Sequence, residues 1–329
     1  MITYDKLSRN PKAFRSLTGL DRILFDRLLV QVEEVLDTQR QTDSTRRGQK
    51  PRQRKQGAGR KYANELATRL LMTLFWLRVY PSYPVLAFFF SVDQSTVCRN
   101  LQEILTVLEG LTEFEFDRPT DKSKRISTPQ AVMEAFPDVV LVIDGKEQRI
   151  RRPKSKKDEE GNPQDTQKPY YSGKKKTHTL KNEIGVLPSG EIGSVSPSVP
   201  GGANHDLTLT RNNGLLDLLD PGKEAVMVDS GYDGLQKDYP AHTIHQVQKA
   251  RRNHPLTQEQ KELNRVLGRY RIVVEHSLAQ MNQFQVLAQT YRHSRDQHSD
   301  VIRVVAGLVN LRIAECPLKT YSSQLGFAI

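Results

Sequence analysis

Two short apolar runs, each followed directly by an aspartate, constrain the fold of this chain more than any other feature. Residues Val139–Ile143 precede Asp144, and residues Glu224–Val228 precede Asp229. Runs of this length, rich in β-branched residues, are typical of buried strands. Because a glycine follows each aspartate within two positions, the backbone there leaves room for a ligand. We therefore expect each carboxylate at the end of a buried strand, at a sheet edge.

The remainder of the chain after residue 137 predicts a mixed sheet with helices on its faces. Residues Thr177–Val186 and Glu191–Val199 flank a Pro-Ser-Gly turn and predict a β-hairpin. Three helices are predicted: Asp206–Leu219 with Asp206 as its cap, Thr257–Phe284 with a Thr257–Gln260 capping box, and Asp300–Arg312. Strands followed by alternating strands and helices place this part of the chain in the α/β class, as an α+β mixed sheet.

The N-terminal part of the chain is predicted to be all-α. Residues 1–38 repeat apolar side chains at intervals of three and four, which indicates one apolar helical face. The segment 39–61 is rich in Gln, Gly, Arg and Lys and has almost no apolar residue, so it cannot pack into a core. We interpret it as a basic arm that lies along DNA phosphates or in a minor groove. An idle, solvated linker is the alternative.

A helix-turn-helix is predicted in residues 85–101. Ser91 and Val92 would form the turn, and Asp93 would cap the second helix. The residues that would face base edges from the start of that helix are Gln94, Ser95, Thr96 and Arg99. An ordinary helical hairpin is the alternative, but the adjacent basic arm favours DNA. The aromatic residues Trp76 and Phe88–Phe90 are expected in the core, because they recur at helical spacing.

The positive charge of the chain is large and clustered. The chain has 49 Lys and Arg residues against 38 Asp and Glu, a net charge of +11. Such an excess indicates a polyanionic partner, because each phosphate that is neutralised releases a counterion. Outside the helix-turn-helix, the residues predicted to bind DNA are Arg52, Arg54, Arg60, Lys61, Lys146, Arg149, Arg151, Arg152, Lys174, Lys175, Lys176 and Arg271.

Glu275 is a third acid that could join the two aspartates. It lies beside the apolar stripe of the long helix, on the same face as Arg271 and Gly268. A glycine in mid-helix costs about 1 kcal/mol relative to alanine, which predicts that something approaches this face closely. Three carboxylates suit a two-metal phosphoryl-transfer site, because Mg²⁺ prefers oxygen ligands. The alternative is that these acids only cap strands or pair with Arg and Lys. For three such acids in a strongly basic chain, this alternative is the less favoured interpretation.

Missing motifs exclude several other chemistries. The sequence has neither a G-x-x-x-x-G-K-[ST] or G-x-G-x-x-G phosphate loop nor an H-E-x-x-H zinc motif. Its two cysteines, Cys98 and Cys316, are too few and too far apart for a disulfide framework or a zinc ribbon. His205, Asp206 and His276 are accessory candidates near the metals.

No apolar run approaches the ~20 residues of a bilayer span, and no signal peptide is evident, so we expect a cytoplasmic, nucleoid-associated protein.

Five motifs, in this order, resemble bacterial insertion-sequence transposases of the insertion-sequence family numbered five, which is related to the Harbinger class. They are Val-Ile-Asp144-Gly-Lys-Glu-Gln, Tyr170–Thr179, Gly201-x-x-x-His205-Asp206, Val-Asp229-Ser-Gly-Tyr-Asp-Gly234, and Asn264-Arg followed by Arg271-x-x-x-Glu275. Together with the upstream Leu-Arg-Val-Tyr-Pro-Ser-Tyr-Pro segment, the resemblance covers about residues 60–315.

The resemblance implies a ribonuclease-H-like catalytic domain with a DDE triad, which on matching positions is Asp144, Asp229 and Glu275. Members of the family cut DNA at terminal inverted repeats with two Mg²⁺ or Mn²⁺ ions and join the freed 3′-OH ends to target DNA. Arg271 matches the Arg-x-x-x-Glu signature, whereas Gly268 stands where that signature usually has a tyrosine. Because two ends must be brought together, we expect a homodimer or larger assembly on DNA, by analogy.

The predicted division of the chain is an N-terminal helical region (1–38), a basic arm (39–61), a helix-turn-helix domain (62–118), a catalytic domain (137–315) and a C-terminal tail (316–329). Two other functions remain open. One is a non-catalytic regulator derived from a transposase, against which the intact triad argues. The other is a ribonuclease-H-type nuclease acting on RNA–DNA hybrids, which would not need the N-terminal DNA-reading module.

Overall fold

The computed structural model describes residues 1–46, 62–111, 138–157, 163–164, 166–250 and 254–315. Two compact units divide the chain: the first contains residues 1–113 with 283–286 and 303–305, and the second contains the rest. Four predicted DNA-binding residues and the predicted tail lie outside the described residues: Arg52, Arg54, Arg60, Lys61 and 316–329.

The described N-terminal part of the first unit is helical, as predicted. Its helices are α1 (Tyr4–Leu7), α2 (Pro11–Thr18), α3 (Arg22–Arg46), α4 (Leu66–Val79), α5 (Tyr83–Phe90) and α6 (Gln94–Leu111). Helix α4 is the centre of this unit, because every residue from Thr68 to Leu77 is buried. Helix α3 runs to Arg46 and thus enters the segment predicted as a linker from residue 39. Polar residues extend a helix readily once apolar packing has nucleated it.

The predicted turn between the two helices of the helix-turn-helix is present. Helix α5 ends at Phe90, and Ser91 adopts the left-handed conformation, with φ +53°. Helix α6 then begins directly after Asp93. Buried Val97, Leu101 and Ile104 hold α6 against the core. The chain therefore reverses within three residues and leaves the N-terminal turn of α6 at the surface.

A buried polar contact ties α4 to α6. The Nε of Arg69 donates to the Oδ1 of Asn100 at 2.9 Å, and its Nη2 pairs with Glu103 at 2.7 Å. Among the aromatic residues predicted to lie in the core, Trp76 and Phe90 are buried. Phe88 is 81% exposed and Phe89 is 39% exposed, so the prediction is wrong for these two residues. Helical spacing does not reveal which face of a two-turn helix lacks a partner.

The second unit is built on a mixed sheet, which confirms the predicted α/β class. Its strands are β1 (Val139–Arg149), β2 (Lys156–Lys157), β3 (Pro163–Gln164), β4 (Tyr171–Ser172), β5 (Thr177–Val186), β6 (Ile192–Val195), β7 (Val199–Pro200), β8 (Ala225–Val228) and β9 (Thr243–Gln246). The main sheet has the order β4-β5-β1-β8-β9, and β6 and β7 also pair with β5. Strand β1 is antiparallel to β5 and parallel to β8.

The helices of this part of the chain are α7 (Asp206–Asn213), α8 (Leu235–Asp238), α9 (Gln258–Asn282), α10 (Gln285–Ala288) and α11 (His298–Glu315), of which residues 285–286 and 303–305 belong to the first unit. Helix α9 packs on β1 and β5. Its predicted capping box is present, since Thr257 Oγ1 accepts from Gln260 N at 3.2 Å and Gln260 Oε1 accepts from Thr257 N at 3.0 Å. The predicted cap of α7 is wrong: His205 is the N-cap, and Asp206 is the first helical residue.

A neutral histidine lies buried beside β1. His298 is fully buried; its Nδ1 lies 2.6 Å from Ser198 Oγ and its Nε2 lies 2.7 Å from Gln148 Oε1. Burial lowers the pKa of His298 to about 3, and the charge of Lys146 acts in the same direction. A protonated imidazole is therefore strongly disfavoured in the folded state.

We predict that His298 makes the protein less stable at acid pH. An unfolded histidine binds its proton near pH 6.5, whereas the folded one does so only near pH 3. As pH falls between these values, the unfolded state binds more protons, so the free energy of unfolding falls by up to ~1.4 kcal/mol per pH unit. His298→Gln should reduce this slope in urea titrations at pH 7.5, 6 and 5. Equal slopes for His298→Gln and for the exposed-site control His205→Gln would contradict the prediction.

Candidate active site

The register of two parallel strands brings Asp144 and Asp229 side by side. Ile143 of β1 lies opposite Val228 of β8, so the next residue of each segment is an aspartate. Asp229 directly follows β8, as predicted. Asp144 lies within β1 and not at its end, because pairing with β5 carries the strand on to Arg149 after β8 has stopped.

One guanidinium from α9 bridges the two aspartates. Nη2 of Arg271 lies 3.6 Å from Asp144 Oδ2, and Nη1 lies 3.3 Å from Asp229 Oδ1. The Arg271 side chain is only 13% exposed. Burial raises the pKa of Asp144, and the nearby charge of Arg271 acts against this effect. The site therefore contains two partly buried anions that share one cation.

Backbone amides hold both carboxylates in place. Asp144 Oδ1 accepts from the Gly145 N–H at 2.8 Å, and Asp229 Oδ1 accepts from the Ser230 N–H at 2.5 Å. Each carboxylate is thus oriented by the peptide group that follows it. Because these hydrogen bonds already restrict the rotamers of the two aspartates, less conformational entropy is lost when a ligand binds to them.

A further carboxylate, that of Asp206, lies between the segments that follow the two aspartates. Its Oδ1 pairs with Lys181 Nζ at 2.9 Å. A Cβ at Gly145 would overlap this same oxygen, and a Cβ at Gly231 would lie 3.1 Å from Oδ2. Asp206 therefore accounts for the glycines that follow both aspartates. Its neighbour His205, the other accessory candidate, is exposed at the start of α7.

Glu275 does not join Asp144 and Asp229 in the described structure. It is exposed on α9, four residues after Arg271, and His276 beside it is half-buried. Among the described residues, no three Asp, Glu, His or Cys side chains are arranged to hold a metal ion. The catalytic triad therefore stays a prediction, of which the structure brings two members together and not the third. Among the described residues, no atom lies within 4 Å of a Cβ added at Gly268, so the chain itself does not provide the close approach predicted there.

Lys146 does not lie where a DNA phosphate could reach it. The residue is only 8% exposed, and its Nζ donates to Asn282 Oδ1 of α9 at 2.5 Å. Burial lowers the pKa of Lys146 to about 8, and Lys175 adds to the effect. Its predicted role as a phosphate contact is therefore wrong, because the alternation of β1 turns Lys146 towards α9.

Apart from Lys146 and Arg271, whose side chain is 13% exposed and pairs with the two aspartates, the described basic candidates of this unit lie at the surface. The exposed residues are Arg149, Arg151, Arg152, Lys174, Lys175 and Lys176. In the first unit, Gln94, Ser95 and Arg99 are exposed at the start of α6, and Thr96 is half-buried. These side chains are accessible to DNA, and their contacts stay predictions.

A polar cavity that the sequence did not predict opens beside Asp229. It has a volume of about 250 Å³ and lies at the carboxyl ends of β8 and β9. Its polar lining includes Ser230, Asp233, Gln246, Gln248, Lys249 and His254. No spacing of these residues sets them apart in the sequence, because the cavity is formed only where the segment after β8 meets the segment after β9.

Comparison with known proteins decides the family. Residues 143–310, just over half of the chain, match the model of the DDE superfamily endonuclease. The chain belongs to this family. Residues 65–113 of the endonuclease match the helix-turn-helix of DDE superfamily endonuclease, within the predicted domain 62–118. The family match thus includes both aspartates and Glu275.

Over 267 residues, the endonuclease is 28% identical to a protein of Microchaete diplosiphon described as a probable transposase for insertion sequence element IS702. That alignment covers 79% of this chain and 86% of the relative. No solved structure matches the chain. Within the described residues, none of the helices combines the length and the apolar character needed to span a bilayer.

We predict that Gly145→Ala destabilises the protein through Asp206. Gly145 has no positive φ, so the added methyl group is disfavoured chiefly by its overlap with the carboxylate of Asp206, while Lys181 Cε would lie 3.3 Å from it. The overlap should cost about 1–3 kcal/mol in urea unfolding. Asp206→Ala should relieve most of that cost, whereas Asp206→Asn, which keeps the shape, should not. An equal cost of Gly145→Ala in all three backgrounds would contradict this prediction.

Proposed function

We propose that this endonuclease is a DNA transposase that binds terminal inverted repeats, cleaves the DNA there and joins the 3′-OH ends to target DNA. The observation that carries the proposal is the side-by-side pair Asp144 and Asp229, in a chain that also has the family's helix-turn-helix. The similarity to a probable transposase of an insertion sequence supports it. We extend the proposal to the insertion-sequence family numbered five and to a dimer or larger assembly on DNA.

The donor set around the two aspartates fits a divalent cation. Carboxylate oxygens are the ligands that Mg²⁺ and Mn²⁺ prefer, and one or two carboxylates are typical for Mg²⁺ at a phosphoryl-transfer site. Asp144 and Asp229 would hold the ions, and Glu275 is the proposed third ligand. When bound, two such ions activate the attacking oxygen and stabilise the leaving one.

The protein's own groups would place the scissile phosphate at this pair. The amides of Gly145 and Ser230 orient the carboxylates before DNA arrives. Exposed lysines and arginines of the same unit, at 149–152 and 174–176, would neutralise neighbouring phosphates and limit the movement of the strand. The start of α6 would read the base sequence of the inverted repeat.

One observation favours a second function, that of a non-catalytic DNA-binding regulator. Glu275 is exposed and does not join the two aspartates in the described part of the chain. A regulator would retain the helix-turn-helix and would not need the third ligand. Cleavage assays separate the two functions.

We predict that Asp229→Asn abolishes cleavage and spares binding to the DNA ends. Asparagine keeps the shape of the side chain but lacks the negative charge that holds a cation. The transition state for cleavage should therefore lose several kcal/mol of stabilisation, which lowers the rate ~10³-fold or more. The assay follows a labelled duplex that carries the inverted repeat flanking this reading frame, in Mg²⁺. Glu275→Gln should lose a similar factor if it is the third ligand.

Asp217→Asn is the matched control for this experiment, since Asp217 is an exposed acid of the same unit. It should cleave at the unchanged rate. Cleavage by Asp229→Asn at that rate would exclude the proposed site, and absence of cleavage by the unchanged protein, with end binding intact, would favour the regulator.

We predict that Arg99→Ala weakens binding to the inverted repeat by about 5–150-fold, which corresponds to ~1–3 kcal/mol for one base contact. Arg99 is exposed on the first turns of α6, and its Nη2 lies 3.4 Å from Thr96 Oγ1. Gel-shift titrations with the inverted repeat and with an unrelated duplex measure the effect. Arg22→Ala, at an exposed arginine of α3, is the control. Unchanged affinity of Arg99→Ala would remove this residue from the interface.

A further inference from the structure

We propose that Arg271 is the resident counter-ion of Asp144 and Asp229 in the DNA-free protein, and that it must leave them when divalent ions bind. Its release couples metal binding to DNA binding. This inference rests on the proposed function, because it concerns the same pair of aspartates.

The geometry of Arg271 indicates a cation that can change partners. Its contacts of 3.3 and 3.6 Å with the two carboxylates exceed the ~2.7–2.9 Å of a charge-assisted hydrogen bond. The guanidinium spans two acids and does not form the bidentate pair with one acid that gives arginine its strongest contact. Its Nε is buried and has no hydrogen-bond partner in the described structure. Arg271 is therefore held by charge, with part of its donor capacity unused.

The position of the guanidinium is the one that a metal ion would need. Both carboxylates face this single positive group. A divalent ion placed between the same oxygens would lie within a few ångströms of the guanidinium, and the two cations would repel each other strongly in a partly buried site. Binding of the ion therefore requires Arg271 to withdraw from at least one aspartate.

A withdrawn arginine needs a new anion, because an unpaired guanidinium in a partly buried site is costly. The phosphates of a DNA strand at the aspartates provide acceptors that match its planar donors. DNA would thus favour the state in which the aspartates are free for metal. By thermodynamic reciprocity, metal would favour DNA binding by the same factor.

Titration of Mn²⁺ into the full-length protein, followed by calorimetry and by the electron spin resonance of free Mn²⁺, tests the first step without any cleavage. Arg271→Gln should bind Mn²⁺ at least about tenfold more tightly than the unchanged protein, since a charge this close shifts affinities by ~1–3 powers of ten. Arg265→Gln is the matched control, because Arg265 is an exposed arginine on the same helix that pairs with Glu262. It should leave the affinity unchanged.

The second step uses the same titrations with a saturating duplex whose linkages are nuclease-resistant phosphorothioates. DNA should increase the Mn²⁺ affinity of the unchanged protein and of Arg265→Gln at least about fivefold, by coupling of the usual size. It should have little effect on Arg271→Gln, whose aspartates are already free. A DNA effect of equal size in all three proteins would overturn the coupling.

Other outcomes separate the inference from the function on which it rests. Mn²⁺ affinity of Arg271→Gln equal to or below that of the unchanged protein overturns the inference alone. Arg271→Met, of similar length and without charge, is the second variant if glutamine impairs folding, and the same result is expected. Mn²⁺ binding that survives Asp144→Asn combined with Asp229→Asn overturns the proposed site, and the inference with it.

Discussion

The parallel pairing of β1 with β8 is the constraint on which the candidate active site depends. It sets Ile143 opposite Val228 and thereby places Asp144 next to Asp229, which are 85 positions apart in the numbering of the chain. The carboxylates of two neighbouring aspartates repel each other unless a cation lies between them. Arg271 of α9 provides that charge, so the site depends on the packing of α9 against β1 as much as on the sheet.

Residues on both faces of β1 make polar contacts that support the site. On one face, Asp144, Lys146 and Gln148 meet partners on α9 and α11, and these contacts fix the strand against the helices. On the other face, Gly145 leaves the space that Asp206 fills, and Asp206 is itself paired with Lys181 of β5. The aspartate pair is thus held from both sides by polar contacts, while the apolar residues of β1 and β8 form the core.

Local patterns predicted much of the architecture correctly. The β-branched runs, the Thr257–Gln260 capping box and the turn at Ser91 depend on residues that are close in the sequence, and the structure contains all of them. The predictions were wrong for Lys146, expected to contact phosphate, and for Phe88, expected in the core, and both errors have the same cause. Whether a side chain is buried depends on what packs over it. For Lys146 that partner is Asn282, which is remote in the sequence, whereas Phe88 stays 81% exposed among the described residues.

The sequence by itself determined that this is a basic protein with a helix-turn-helix followed by a mixed sheet, and it singled out Asp144 and Asp229. These properties follow from composition, hydrophobic period and turn chemistry, which act over a few residues. Only the tertiary structure decided that Asp144 lies within a strand, that Asp206 lies beneath both glycines, and that Arg271, not Glu275, faces the aspartate pair. Such arrangements depend on the register between strands and on the rotation of α9 about its axis, and no local pattern encodes either.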